Sequence, residues 1–243
     1  MFNQLKRIKY KLNNYYIYDS KKAFKETIKF YIADKKNCFN YFHIPKTGGK
    51  YIKKILSTNL SKNQFRAYEH FVRAKWLNPK EKVIISVRDP VDRFISCYYS
   101  DIRNYEKNNV ALSNFGKLLY KTYPNIESAI KAYIKGEKEI GYLAQLGFMS
   151  SINYWGNKKD FSKFENLIII RTEFLQQDLL NFLNNEFSEY KNWNEIINNF
   201  NGERFKQTEK KEYKINHNLR YDLLDFLSEE YKLYNYLLSR KIY

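Results

Sequence analysis

The sequence predicts one α/β domain of three layers, in which a mostly parallel central sheet is flanked by helices. Three short apolar runs, near 38–44, 82–87 and 167–170, have the length and composition of buried strands. Each run leads into a segment that can open a helix, and strands that alternate with helices favour a parallel sheet covered on both faces. Ligands of such sheets bind beyond the carboxyl ends of the strands, so we expect the functional site there.

Composition is consistent with one domain. The 243 residues are 44% hydrophobic, enough to bury one core, and no Pro/Gly/Ser-rich linker divides them. We expect a basic helical extension over 1–36 and one main domain over 37–243. No stretch approaches an apolar span of about 20 residues and no signal-type apolar region is visible, which predicts a cytoplasmic protein. Cys38 and Cys97 lack the spacing of a metal site and the number needed for a disulfide framework, so two buried free thiols are predicted.

The N-terminal extension concentrates positive charge. Phe24, Ile28 and Ile32 recur at helical spacing, which indicates an amphipathic helix in its second half. Two roles stay open for it, namely packing on the domain or peripheral contact with the anionic inner surface of a membrane. Its basic residues are Lys6, Arg7, Lys9, Lys11, Lys21, Lys22, Lys25 and Lys29.

The first predicted strand feeds into a short loop of the kind that cradles phosphate. The stretch from His43 to Gly49 reads His-Ile-Pro-Lys-Thr-Gly-Gly, and the residues from 50 to about 60 can form a helix. The two glycines let main-chain N–H groups close on an anion, Lys46 supplies a point charge, and the N-terminus of a helix favours negative charge.

The strand at 82–87 ends in a second motif. Residues 88–96 read Arg-Asp-Pro-Val-Asp-Arg-Phe-Ile-Ser, and Pro90 can start a helix at its first turn. Arg88 and Ser96 can both hold an anion by charge-assisted or hydroxyl hydrogen bonds. Between the two motifs lies a short extended run over 65–70.

Together the two motifs resemble the 5′- and 3′-phosphate-binding motifs of PAPS-dependent carbohydrate sulfotransferases, particularly the heparan sulfate/uronyl 2-O-sulfotransferase type. The resemblance implies a P-loop-like fold, PAPS as sulfuryl donor, PAP as product and a carbohydrate acceptor, with no required metal. It assigns the 5′-phosphate to Pro45, Lys46, Thr47, Gly48, Gly49, Lys50 and Tyr51, and the 3′-phosphate to Arg88 and Ser96. Thr208, in a polar basic loop over 205–211, loosely matches the family loop that closes over the nucleotide.

Two side chains are candidates for the chemistry. Lys46 can stabilise the charge that develops on the bridging phosphate oxygen. His70 matches, in order and spacing, the histidine that serves as base in the 2-O-sulfotransferase type, and His is suited to that work near neutral pH. Glu69 is the alternative base if the strand register differs. His43 is expected to buttress the loop, and His217 to begin the last helix.

The main rival is a phosphate-loop kinase or NTPase. Such a loop needs a glycine where this chain has Ile44, and a metal-holding hydroxyl where it has Tyr51. Sulfotransferases of the resembled type usually have Thr or Ser after the second glycine, whereas this chain continues with Lys50 and Tyr51. A hydroxyl ligand is therefore lost and a positive charge gained. The second strand ends in Arg88 where a metal-binding Asp would be expected, although Asp89 follows.

The sequence pattern of the remaining chain predicts mainly helices from about 112 to 160. It then predicts a strand at 167–170 and a helix that opens at 172–175 and runs to about 186. One last helix is predicted, with a buried stripe of Leu219, Leu223, Phe226, Leu227, Tyr231, Tyr234 and Leu237.

The formal net charge of +17 favours anionic partners. For the carbohydrate acceptor, an anionic glycan and a lipid-linked glycan are both open. A basic protein that binds nucleic acid or membrane without catalysis is the non-enzymatic alternative, but no RNA-binding motif, zinc-finger spacing or Arg tract is visible, and we expect no nucleic-acid partner.

Overall fold

A parallel sheet forms the centre of the protein. The computed structural model describes residue 21 and residues 38–68, 70, 72–108, 113–138, 140–141, 151–189, 191–201 and 215–242. Neighbouring strands are parallel throughout the described sheet, in the order β2-β1-β3-β4-β5. The strands are β1 (Phe39–Phe42), β2 (Phe65–Ala67), β3 (Lys82–Val87), β4 (Asn166–Arg171) and the short β5 (Lys241–Ile242). The prediction of an α/β fold with a parallel sheet is confirmed.

Helices connect the strands. They are α1 (Gly49–Asn59), α2 (Pro90–Asn108), α3 (Ser113–Thr122), α4 (Ile126–Ile134), α5 (Lys158–Phe161), α6 (Leu175–Phe187), α7 (Trp193–Asn201), α8 (His217–Phe226) and α9 (Ser228–Leu238). Short 3₁₀ turns lie at Ala74–Trp76, Ile152–Tyr154 and Thr172–Phe174.

Both faces of the sheet are covered, because alternate strand residues point to opposite sides. Tyr41 packs with α1, α6 and α7 on one face. Phe42, its neighbour in β1, packs on the other face with α5, α9 and the 3₁₀ turns near 75 and 153. A third apolar cluster joins α2, α3, α4 and α8 beside the sheet.

The order of the strands identifies where a ligand of such a sheet would bind. From β1 the chain crosses to β2 on one side, whereas β3, β4 and β5 follow on the other side. The direction therefore reverses between β1 and β3, and ligands of doubly wound sheets bind outside the carboxyl ends of the strands at such a reversal. Both sequence motifs begin at these two strand ends.

The prediction of one continuous last helix is wrong. α8 ends at Phe226 and α9 begins at Ser228, with Leu227 between them at φ −88 and ψ 14. Leu219, Leu223, Leu227 and Leu237 are buried as predicted, but Phe226 is 45% exposed. It lies at the flank of the buried stripe in the last turn of α8, where one side of its ring meets Tyr133 at 5.1 Å between centroids.

Other expectations have mixed outcomes. Cys38 and Cys97 are buried free thiols, as predicted. His217 begins α8, also as predicted. Apart from Lys21, the N-terminal extension lies outside the described residues. Within the part of the chain that the structure describes, no helix has the length and apolarity required to cross a membrane.

A buried ion pair joins two helices to the turn near residue 153. The Arg93 side chain in α2 and the Glu230 side chain in α9 lie 3.6 Å apart between Nη2 and Oε2, and both are almost fully buried. Glu230 Oε2 also accepts a hydrogen bond from the Ile152 amide at 3.2 Å. The pair thus fixes the position of the Ile152–Tyr154 turn.

We predict that Glu230→Ala destabilises the protein by about 3–5 kcal/mol, because the Arg93 charge would stay buried without its carboxylate. Urea unfolding measures the change. Glu229→Ala is the matched control, since the adjacent Glu229 carboxylate is 74% exposed and pairs with Lys232 at the surface. Its expected effect is within about 0.5 kcal/mol. Equal losses in the two variants would contradict the assignment.

Candidate active site

The loop after β1 turns sharply into α1. Lys46 has φ 69 and Gly48 has φ 77, so the backbone is left-handed at both. The amides of Tyr51 and Ile52 donate to the Gly48 carbonyl at 3.0 and 3.4 Å. The Gly49 and Lys50 amides precede these bonds in the first turn, where helix N–H groups lack partners within the helix and favour an anion.

A chain of hydroxyl groups holds this loop from inside. Thr47 Oγ1 donates to the Ile44 carbonyl at 2.7 Å, so the bond of 2.6 Å between Thr47 and Ser86 must be donated by Ser86. The Tyr41 hydroxyl then donates to Ser86 Oγ at 2.5 Å. Burial raises the pKa of Tyr41, which keeps this donor protonated. Thr47 is fully buried and its hydroxyl is used within this chain of bonds, so its side chain supports the loop from inside and does not face an anion.

Packing restricts Gly49, and the left-handed backbone favours glycine at Gly48. A Cβ on Gly49 would lie 1.9 Å from His43 Nε2 and 2.6 Å from the Tyr41 hydroxyl. A Cβ on Gly48 would lie 2.9 Å from Leu175 Cδ2 in α6. The sequence interpretation offers the glycine amides to an anion, and the contacts of these positions within the protein add a second reason for glycine.

His43 buttresses the loop, as predicted. Its buried ring lies against Gly49, and its centroid is 3.9 Å from that of His70. Desolvation, followed by the charges of His70, Lys53 and Lys50, lowers the pKa of His43 to about 2. The ring is therefore neutral in the folded protein.

His70 lies at the same edge of the sheet. The predicted extended run over 65–70 is shorter in the structure, because β2 ends at Ala67 and His70 lies in a turn beyond it. His70 Nδ1 is 3.4 Å from the His43 carbonyl, and the His70 carbonyl accepts a hydrogen bond of 2.7 Å from Trp155 Nε1. A proton on Nδ1 would point to the His43 carbonyl and leave Nε2 as the basic nitrogen. Glu69 lies outside the described residues.

The second motif contacts the first at its start. Arg88 Nη1 donates to the Lys46 carbonyl at 3.5 Å. Asp89 caps α2, since its Oδ1 accepts from the Asp92 amide at 3.0 Å, and Pro90 is the first helical residue as predicted. Asp89 Oδ2 also accepts from the Tyr231 hydroxyl at 2.6 Å. The carboxylate that a kinase reading would assign to a metal is therefore used to cap the helix and to hold α9.

The remaining predicted site residues are placed as follows. Ser96 is partly buried in the second turn of α2. Between the described side chains of Ser96 and Arg88 there is no hydrogen bond. Pro45 is buried, Lys50 is exposed, and Tyr51 is half-buried, which raises the pKa of its hydroxyl. Thr208 lies outside the described residues. Among the residues that the structure describes, no group of three or more His, Cys, Asp or Glu side chains is arranged to hold a metal ion.

Three supporting residues were missed by sequence reasoning. Ser86 could have been found, because a polar side chain inside an apolar strand needs a buried partner. Trp155 and Arg220 gave no signal, since they reach the site only through long-range contacts.

No family model, curated protein or solved structure matches the chain. The site residues themselves therefore carry the functional assignment.

We predict that Gly49→Ala destabilises the protein by about 1–3 kcal/mol or more, because the added methyl group overlaps the buried His43 ring. Thermal unfolding measures the loss. Gly141→Ala is the matched control, since a Cβ at Gly141 meets nothing within 4 Å. A Gly49→Ala variant as stable as this control would show that the His43 ring moves away freely.

We also predict a pH dependence of stability from His43. Its pKa is lowered from 6.5 in the unfolded chain to about 2 in the folded protein, so below pH 6.5 the unfolded state binds the extra proton. Above pH 6.5 His43 does not reduce the free energy of unfolding. As the pH falls from 6.5 toward the folded pKa, the free energy of unfolding decreases by about 1.4 kcal/mol per pH unit. Urea unfolding between pH 7 and 5 should show this slope in wild type and in His217→Gln, which changes an exposed histidine. The slope should be smaller in His43→Gln; an unchanged slope there would show that His43 is not its source.

Proposed function

We propose that this protein is a PAPS-dependent sulfotransferase with a P-loop-like fold, which moves a sulfuryl group from PAPS to a hydroxyl of a carbohydrate. The observation that carries the proposal is the meeting of three distant segments at one edge of the sheet. Arg88 reaches the Lys46 carbonyl, and His70 lies against His43 at the start of the same loop. These segments hold the anion-binding and proton-accepting groups that the motifs predict.

The residues present suit a donor with two separated anionic groups. The first-turn amides of α1, with Lys46 and Lys50, suit the 5′-phosphate. Arg88 and Ser96 suit the 3′-phosphate, because a guanidinium and a hydroxyl can both donate to one phosphate. When bound, PAPS would supply the sulfuryl group.

Each catalytic residue then has one task. His70 accepts the proton of the acceptor hydroxyl as the oxygen of that hydroxyl bonds to sulfur. Lys46 and the loop amides stabilise the negative charge on the phosphate oxygen as its bond to sulfur breaks. The turn that holds His70 is fixed by Trp155, so the base is positioned by the core of the domain.

We predict that His70→Ala retains PAP binding but loses turnover by about 10²- to 10⁴-fold, because a general base acts on the acceptor. Arg88→Ala should instead weaken PAP. Wild type should gain roughly 2.7 kcal/mol of stability at a hundredfold excess of PAP over its dissociation constant, and AMP at that concentration should give less. PAP-induced thermal shift and transfer of labelled sulfate from PAPS to a glycan panel measure both properties.

The controls separate this reaction from phosphoryl transfer. His217→Ala should behave as wild type, since His217 lies at the start of α8. Turnover should survive EDTA. Magnesium-dependent ATP consumption without sulfate transfer would support the kinase reading, and equal stabilisation of wild type by AMP and PAP would count against a 3′-phosphate site.

A further inference from the structure

Arg220 of α8 lies over the beginning of α2. Its Nη2 atom is 2.9 Å from Asp92 Oδ1 and 3.9 Å from Asp89 Oδ1. The Arg220 side chain is 43% exposed, so it is accessible to a ligand from solvent. Sequence reasoning gave this residue no role.

The two carboxylates place Arg220 beside the end of β3 and the start of α2, the two segments that carry the proposed 3′-phosphate ligands. Asp89 directly follows Arg88 at the end of β3. Asp92 is four residues before Ser96 in α2, so both lie on one face of the helix with Cβ atoms about 5–6 Å apart. The guanidinium thus lies on the face of α2 that carries Ser96, next to the strand end that carries Arg88.

The charges in this region present a problem for a phosphate. Asp89 is partly neutralised by the hydrogen bonds that it accepts from the Asp92 amide and the Tyr231 hydroxyl. The Asp92 side chain is 39% exposed, and it would repel a phosphate held at Ser96. Arg220 offsets this charge. A guanidinium has five N–H donors, so Arg220 can bond Asp92 and still donate to a second anion.

We propose that Arg220 is a further ligand of the 3′-phosphate and determines the preference for 3′-phosphorylated nucleotides, with Asp92 holding it in place when no nucleotide is bound. The inference rests on the proposed function. Asp92 and the phosphate share the same guanidinium, so Asp92 lowers the affinity for PAP while it positions the arginine. AMP has no 3′-phosphate and is insensitive to both residues.

Isothermal titration of the full chain with PAP and with AMP tests this arrangement. Arg220→Ala should weaken PAP by roughly 10- to 100-fold, the scale of a lost hydrogen bond to a charged group, and should leave AMP nearly unchanged. Asp92→Asn should tighten PAP several-fold. In the double variant the gain from Asp92→Asn should be smaller, because the competition for Arg220 is gone and only the direct repulsion between Asp92 and the phosphate is removed.

Lys232→Ala is the matched control, since it removes a cation from an exposed ion pair with a carboxylate on α9. It should leave the affinity for PAP unchanged. Circular dichroism checks that each variant is folded. Unchanged PAP affinity in folded Arg220→Ala, or equal losses for PAP and AMP, would overturn the role of Arg220 alone. A gain from Asp92→Asn that is equally large without Arg220 would overturn the coupling between them. Wild type that binds PAP no better than AMP would overturn the proposed function and this inference together.

Discussion

The site depends on the parallel pairing of β1 with β3, because this pairing brings two loops from distant parts of the chain to one edge of the sheet. Phe42 of β1 lies opposite Ile85 of β3, so the two strands end at nearly the same level. The hydroxyl chain from Tyr41 through Ser86 to Thr47 then ties the loop after β1 to β3. A buried chain of this kind is stable only when each donor has its acceptor. The hydroxyl chain therefore restrains the loop without a contribution from a ligand.

A second set of contacts connects the interior to His70. The buried Arg93 and Glu230 pair fixes the turn that precedes Trp155, and the Trp155 indole fixes the backbone of His70. On its other side the His70 ring meets the neutral ring of His43. The proposed general base is therefore held at both its backbone and its ring, which gives it a fixed orientation. Loss of the ion pair would thus disturb His70 without a direct contact.

The sequence pattern predicted those strands, turns and helix starts that depend on neighbouring residues in the chain. The strand at 82–87, the turn into α1 and the helix start at Pro90 follow from apolar runs, glycine and proline. The break at Leu227 did not, because the apolar spacing continues through it and only packing against two different neighbours separates α8 from α9. The packing role of Gly49 could not be predicted, because the position of the His43 ring, which fills the space beside Gly49, cannot be located from sequence. Arg220 was missed because it meets Asp92 only after α8 folds back across α2.

The edge of the sheet gathers positive charge at a cost to the free protein. Lys46, Lys50, Lys53 and Arg88 lie on or beside one short loop, and like charges at such distances repel one another. The positive end of the α1 dipole adds to this repulsion. Burial keeps His43 neutral, so the loop avoids one further cation. The repulsion that remains would be relieved by the anion that we propose to bind here. Until then, the buried hydroxyl bonds and the tight packing at Gly49 hold the loop against this repulsion.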